Sequence, residues 1–456
     1  MLEQAASPQG GPGVLVARWR EKTREALEGS LLWGWVLRPE ALEASLHLSL
    51  VSLPFLPPEI LLPISLLPLL FLAARWVAGH RVRATRTPLD IPVAAYFALA
   101  ILATVTSVDP RGSLRDLAIY TCAFALFLVI TELRDPRVTR RLIFTLLLAA
   151  TVVALYGIYQ YFVVPPTRNW YDPKTNPELR VRVYSTFGNP NILAEYLGLV
   201  APFGLARVMS ARRGTAVAWA GVTAAIFACL LLTYSRGGWI GAAVALTVFM
   251  VLEEPRAAWL LAAGALAGYL VAPPAVVDRL LSMVSLKDTS NAHRLGVWLA
   301  SLAMLKELWP TGVGLGHRAF MRVYAEFRLR GRVAWHSHNL FLEQALELGV
   351  LGLAAFLWIV FTFYTTASRF LRGQGGRGSP AAPSRHVVMA GVASLTGALF
   401  QGLVENVLYM APITLTFWIV VALTVSQTMA ATDGGQPGDR PGGKALRPGE
   451  AHGCTG

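Results

Sequence analysis

The chain has 456 residues, of which 54% are hydrophobic and only 15% charged, and it carries a formal net charge of +13. A soluble domain of this length buries a full core without such an apolar excess, so a water-soluble enzyme is excluded. Its apolar runs are each about 17–25 residues long, enough to cross about 30 Å of hydrocarbon, and they are continuous rather than alternating, which excludes a transmembrane barrel.

In chain order, residues 1–40 form a cytoplasmic N-terminal segment whose first 30 residues are polar and basic, without the apolar centre of a cleavable signal, so the first span is expected to act as the insertion signal. Nine spans are predicted within 41–273: 41–57, 59–78, 90–107, 115–132, 141–164, 191–208, 215–233, 238–252 and 257–273. The first is short and carries Glu43, His47 and Pro54. A large loop, 274–338, follows; within it "NAHRLGVWLASLAMLKELWP" reads as an amphipathic helix lying on the membrane surface. Spans over 339–367, 387–409 and 412–430 complete the region 339–430, and the Gly- and Pro-rich tail 431–456 is too poor in apolar residues to fold. The fold class is all-α: a polytopic transmembrane bundle of about twelve spans with one large loop containing short helices. Cys122 and Cys229 lie in apolar runs and Cys454 in the tail, which is neither a disulfide framework nor a metal site.

Arginine orients the bundle, because positively charged loops stay cytoplasmic. Arg75, Arg81, Arg83 and Arg86 follow the second span, Arg134, Arg137, Arg140 and Arg141 the fourth, and Arg207, Arg212 and Arg213 the sixth. Arg256 follows the eighth, and Arg369, Arg372, Arg377 and Arg385 the tenth, whereas the opposite short loops hold only Arg111, Arg115 and Arg236. Both termini are therefore expected inside the cell, with 165–190 and 274–338 outside. The positive charge is a membrane signature and gives no reason to expect nucleic acid.

On this topology the polar clusters share the outer face: "RVRVYSTFGNPN" (180–191), "YSRGGW" (234–239), "AHRLGVW" (292–298), "WHSHN" (335–339), and Glu405 with Asn406 near the end of the eleventh span. Each has an ordinary alternative. Asn189 and Asn191 in the "GNPN" turn are also good helix caps, and Arg180 and Arg182 could be solvated loop charges. Arg236, set in a tight turn between two apolar spans, is costly there unless it faces a wet cavity or an anion. His336 and His338 suit a general base, a helix start, or two ligands of a zinc site whose further ligands are not evident. "GVGLG" (312–316) follows no strand and is no nucleotide loop.

The combination points to one chemistry. Arginine binds phosphate through a planar fork, and a histidine beside it can take a proton from an acceptor hydroxyl as a phosphate or diphosphate leaves. Outside the cytoplasm the fitting donor is a sugar carried on a polyprenyl diphosphate, already activated and dissolved in the bilayer.

At "FGNPNILAEYL", "TYSRGGWIG", "HRLGVWLASLAMLKELWPTGVGLG" and "HSHNLFLEQALELGVLG" the sequence resembles the O-antigen ligase family, with its related polymerases and protein O-oligosaccharyltransferases, over roughly residues 90–425. The resemblance implies a metal-independent, cofactor-free glycosyltransferase of the GT-C type in the cytoplasmic membrane. It would move a glycan from undecaprenyl diphosphate, with inversion, to a glycan, lipid or protein acceptor on the periplasmic or extracellular face. By position it implies His338 as the essential histidine, with His336 its near-duplicate, and Arg182 and Arg236 on the diphosphate, with Arg180 the near-duplicate of Arg182. Arg294 matches the arginine before the amphipathic helix, and Asn189, Asn191 and Glu405 complete the candidate substrate-binding set.

Two other classes compete with a transferase. A transporter needs polar groups near the bilayer midplane, where the sequence predicts almost none; a scaffold of a cell-envelope complex would not depend on His338. The topology is directly testable. With Cys454 removed, cysteines replacing Thr175 and Ala325 should react with an impermeant thiol reagent in intact cells, and those replacing Ala84 and Gly376 should not. Labelling at position 84 would invert the arrangement.

Overall fold

Proline opens five of the helices, where its missing N–H costs nothing and its fixed φ suits a first turn. The computed structural model describes residues 30–80, 87–164, 181–256, 289–329, 332–373 and 382–433, with isolated positions between 257 and 288. Its helices are α1 (Leu31–Val36), α2 (Pro39–Ser52), α3 (Pro58–Val77), α4 (Asp90–Val105), α5 (Pro110–Leu133), α6 (Pro136–Val163), α7 (Pro190–Ser210), α8 (Arg213–Leu232) and α9 (Arg236–Glu253). They continue with α10 (Thr289–Leu308), α11 (Gly316–Phe327), α12 (Leu340–Gly373), α13 (Ala382–Gln401) and α14 (Ala411–Asp433). The described residues contain no strand. The polytopic helical architecture is as the sequence predicts.

Eight helices, α3, α5, α6, α7, α8, α9, α12 and α14, are long and apolar enough to cross a membrane. The other four predicted spans each differ for a reason. With 14 residues, α2 is about 21 Å long, and α4 has 16 residues, so both fall short of a full hydrocarbon core. α13 has 20 residues but carries Arg385, His386 and Gln401 at its ends. The predicted span 257–273 lies mostly outside the described residues.

α14 runs through the middle of the bundle, with 89% of its apolar window buried, against 17% for α3 and 22% for α8 at the periphery. It packs on α5 and α13, and α13 in turn lies between α7 and α9. α9 and α13 meet backbone to backbone: a Cβ on Gly241 would lie 2.8 Å from the carbonyl of Gly397, and one on Gly397 2.5 Å from that of Gly241. Small residues allow this approach, which supplies much of helix association in lipid.

α12 is not the continuous span that its sequence suggests. Gly349, at φ 71° and ψ 177°, breaks it after Leu348. A break within the bilayer region leaves orphan backbone groups that must find partners, and the glycine-rich segment before α11 supplies them. Val313 N–H donates to Leu346 O (2.7 Å), Gly314 N–H to Glu347 O (3.2 Å), and Val350 N–H to Trp309 O (2.9 Å). "GVGLG" therefore serves as a plug for a broken helix.

The interior also holds acids: Glu195 on α7 and Glu343 and Glu347 on α12 are buried. The two on α12 are anchored to loops: Glu343 accepts from Ser337 N–H (2.6 Å) and Glu347 from Gly316 N–H (2.9 Å). These two contacts satisfy buried loop N–H groups at Ser337 and Gly316.

At the arginine-rich end, the Arg207 guanidinium lies 4.8 Å from the Trp219 ring centre, and His386 bridges Ser210 (2.9 Å) and Glu253 (3.4 Å). The Gly349 break yields a stability prediction. A Cβ there would sit 2.3 Å from the Pro310 carbonyl at a left-handed φ, so Gly349→Ala should destabilise by about 1–3 kcal/mol or more. The melting temperature in detergent should fall, while Gly373→Ala, which meets nothing within 4 Å, should leave it in place.

Candidate functional site

Five segments that are far apart in sequence meet at the other end of the bundle, and main-chain bonds fix their register. Val183 N–H, before α7, donates to Leu232 O at the end of α8 (3.2 Å). Leu340 N–H, opening α12, donates to Gly402 O just past α13 (2.7 Å), and Asn339 reinforces that joint through Leu403 O (2.9 Å). Asn339 also caps α12 by accepting from Leu342 N–H (2.9 Å). Trp298 of α10 reaches His338 O through its indole N–H (3.3 Å).

The two histidines, near-duplicates in sequence, have different surroundings. His336 is buried, its ring 4.5 Å from the Tyr409 ring and 4.3 Å from that of His338. Its Nδ1 accepts the His338 backbone N–H (3.2 Å), which fixes the neutral tautomer with the proton on Nε2. Burial first, then electrostatic coupling to the neighbouring His338 ring, push its pKa down to about 3, against the opposing pull of Glu405. His336 is a neutral brace: it holds His338 in an uncommon left-handed conformation, φ 53°.

His338 instead pairs with an acid. Its Nδ1 lies 2.7 Å from Glu405 Oε1. Burial alone would raise the Glu405 pKa, but the adjacent charge and hydrogen bond of His338, with His336 and Arg294, hold it far below the usual carboxylate range. An ionised carboxylate can only accept, so His338 Nδ1 carries a proton towards Glu405, and in the neutral form of the ring the lone pair is on Nε2. A base oriented by a carboxylate through its far nitrogen is a general catalytic arrangement.

His336, His338 and Glu405 each offer one ligand atom, all within 4.8 Å of one another, as a metal site would require. The 2.7 Å Nδ1–Oε1 separation, however, is a hydrogen bond. Ligands about 2.0–2.1 Å from a tetrahedral zinc would stand about 3.3 Å apart. The set as it stands fits the acid–base dyad better than a metal.

Beside the dyad, Arg182, Arg236 and Arg294 line one small cavity with Asn191, Ser235 and Glu405; its volume is ≈ 40 Å³. Arg182 and Arg236 are only 6% exposed. Arg182 donates to Thr233 O (2.9 Å) and Asn191 Oδ1 (2.8 Å), and Arg236 to Asn291 Oδ1 (3.2 Å). Arg294 reaches Glu405 Oε2 (3.2 Å), while its buried Nε has no hydrogen-bond partner among the described residues. Three guanidinium groups against one carboxylate leave a positive, partly dehydrated pocket suited to an anion.

The placement of the other candidates is mixed. Asn189 caps α7 by accepting from Asn191 N–H (2.9 Å), whereas Asn191 braces Arg182. Arg180 lies outside the described residues. Glu405 is not on a helix: α13 ends at Gln401, and Glu405 belongs to the turn before α14. Sequence reasoning gave no role to Trp298, within the cluster 292–298, and missed Asn291 and Tyr409, whose only signal was proximity to the clusters.

Two comparisons with known proteins bear on this site. Residues 221–357 match the family model described as O-antigen ligase. That stretch contains Arg236, Arg294, His336 and His338 and stops short of Arg182 and Glu405. A search of curated proteins found no match.

The buried neutral His336 makes stability depend on pH. Its folded pKa, about 3, lies below the ordinary 6.5, so between these values the unfolded chain binds the extra proton and stability rises with pH. Stability is full above about pH 6.5 and is lost as pH falls towards 3. Thermal unfolding should show this loss between pH 7 and 5, and His336→Asn should flatten it. An unchanged slope in the variant would assign the acid sensitivity elsewhere.

Proposed function

We propose, from the O-antigen ligase domain that residues 221–357 carry, that this membrane protein transfers a glycan from a polyprenyl diphosphate to an acceptor hydroxyl. The observation that carries the reading is one shared carboxylate: Glu405 touches both the His338 ring (2.7 Å) and Arg294 (3.2 Å), which joins a base to an anion pocket. His338 Nε2 takes the proton of the acceptor hydroxyl. The oxygen attacks the anomeric carbon from the face opposite the leaving group, a C–O bond forms, and the bond to the diphosphate breaks. The diphosphate departs with the electron pair and is held by Arg182, Arg236 and Arg294. The proton now on His338 is balanced by ionised Glu405.

The cavity of ≈ 40 Å³ has room for a water or two but not for a diphosphate. Donor binding therefore has to draw the arginines apart, and the Arg294–Glu405 contact is the one that a diphosphate would replace. From the arginine distribution we place the site on the extracytoplasmic face, with 274–338 as the large outer loop, 41–273 and 339–430 as the membrane regions, and the cytoplasmic membrane as the location. The same chemistry serves a polymerase, in which the acceptor is another lipid-linked glycan; a lipid or protein acceptor makes the enzyme a ligase.

Transfer assays with purified protein and a lipid-diphosphate-linked glycan test this. His338→Ala should lower turnover by about 10²–10⁴-fold, with a smaller loss for His336→Ala, and chelators should have no effect. A loss restored by zinc would favour a metal site. Arg236→Ala should cost about 10²–10³ in rate, and Arg236→Lys should still be impaired because the fork is lost. Arg111→Ala should stay near wild type. Full activity in Arg236→Lys together with loss in Arg111→Ala would reduce the arginines to a diffuse field.

A further inference from the structure

A second cavity lies away from the arginine pocket, at the opposite end of the bundle. It holds about 980 Å³ between α9, α12 and α13. Leu357, Val360, Phe361 and Tyr364 of α12 and Val392 of α13 form apolar walls, and at the far end the lining changes to Arg369, Arg372 and Arg385. Leu357 and Arg372 are 15 residues apart, about 22 Å along a helix, somewhat more than the ~15 Å depth of one leaflet. The groove is thus one leaflet deep, greasy above and cationic at its base.

No acid lines it. The nearby Glu253 is engaged by His386 (3.4 Å). Two of the arginines are already steadied: Arg372 by Ser368 Oγ (2.9 Å), and Arg385 by Leu371 O (3.3 Å) and Leu252 O (3.0 Å). Arg369 is exposed at the rim. Basic pockets between transmembrane helices bind anionic headgroups, each cation contributing modestly and the acyl chains filling the apolar part. We infer that this groove is a site for one anionic phospholipid, its phosphate on Arg369, Arg372 and Arg385 and its chains against α12 and α13. A free phosphate leaves the apolar walls unused, and a zwitterionic lipid brings its own cation to the arginines.

The test uses the full chain in neutral detergent, titrated with phosphatidylglycerol or phosphatidylcholine and read by native mass spectrometry. Phosphatidylglycerol should bind at least about tenfold more tightly than phosphatidylcholine. Arg369→Gln/Arg372→Gln should weaken it by about tenfold or more; Arg385 is left intact because it holds two carbonyls. Thr365→Trp, which fills the wall without changing charge, should weaken both lipids, and glycerol phosphate without chains should not distinguish wild type from the variants. Equal affinity for the two lipids, or undiminished phosphatidylglycerol binding in the double arginine variant, would overturn the proposal. So would efficient disulfide formation between Thr365→Cys and cysteines scanned through 257–273, because the chain itself would then occupy the groove.

Discussion

The Glu405 carboxylate is the point on which the site depends. It is a buried anion in a short non-helical turn, and burial of a lone carboxylate would cost several kcal/mol. It is held ionised by neighbours from two other segments: His338 from the start of α12 and Arg294 from the start of α10. Each partner removed takes away part of what keeps the buried carboxylate ionised. The same carboxylate touches the His338 ring and one guanidinium, so imidazole and arginine pocket are joined by one residue.

The scaffold serves that contact. α13 stops at Gln401, and the backbone beyond it bonds α12 at Leu340 and Asn339. The break at Gly349 then frees the first part of α12 to follow the loops rather than the bundle axis, with "GVGLG" closing the exposed backbone. Glu343 and Glu347, costly in an apolar interior, are tolerated because each accepts a backbone N–H from these same loops.

Much of the fold was legible because hydrocarbon imposes simple demands. The predicted spans 191–208 and 215–233 became Pro190–Ser210 and Arg213–Leu232, since apolar length is a local property. The interruption of α12 was not legible, because its partners, Trp309 and Val313, lie over 30 residues away in sequence. The predicted helix 387–409 overran for a similar reason: Gly402 and Leu403 give their carbonyls to another segment. The site showed the same division. Polar motifs beside apolar runs, where charge is expensive, do come together at one end of the bundle. The distinction between His336 and His338, and the pairing of Arg294 with Glu405, required long-range contacts that residue order does not encode.

The most direct test of the dyad is single-turnover transfer by Glu405→Gln, measured together with donor affinity. A glutamine keeps the shape but removes the charge, and its amide can donate to Nδ1 and so move the His338 proton to Nε2. The turnover rate should fall by about 10²–10⁴-fold, as when an orienting carboxylate is neutralised in other histidine-based sites. Donor affinity should hold or improve, since Arg294 is released towards the diphosphate. Turnover within about twofold of wild type, or a loss explained wholly by weaker donor binding, would contradict the assignment of His338 as a base oriented by Glu405.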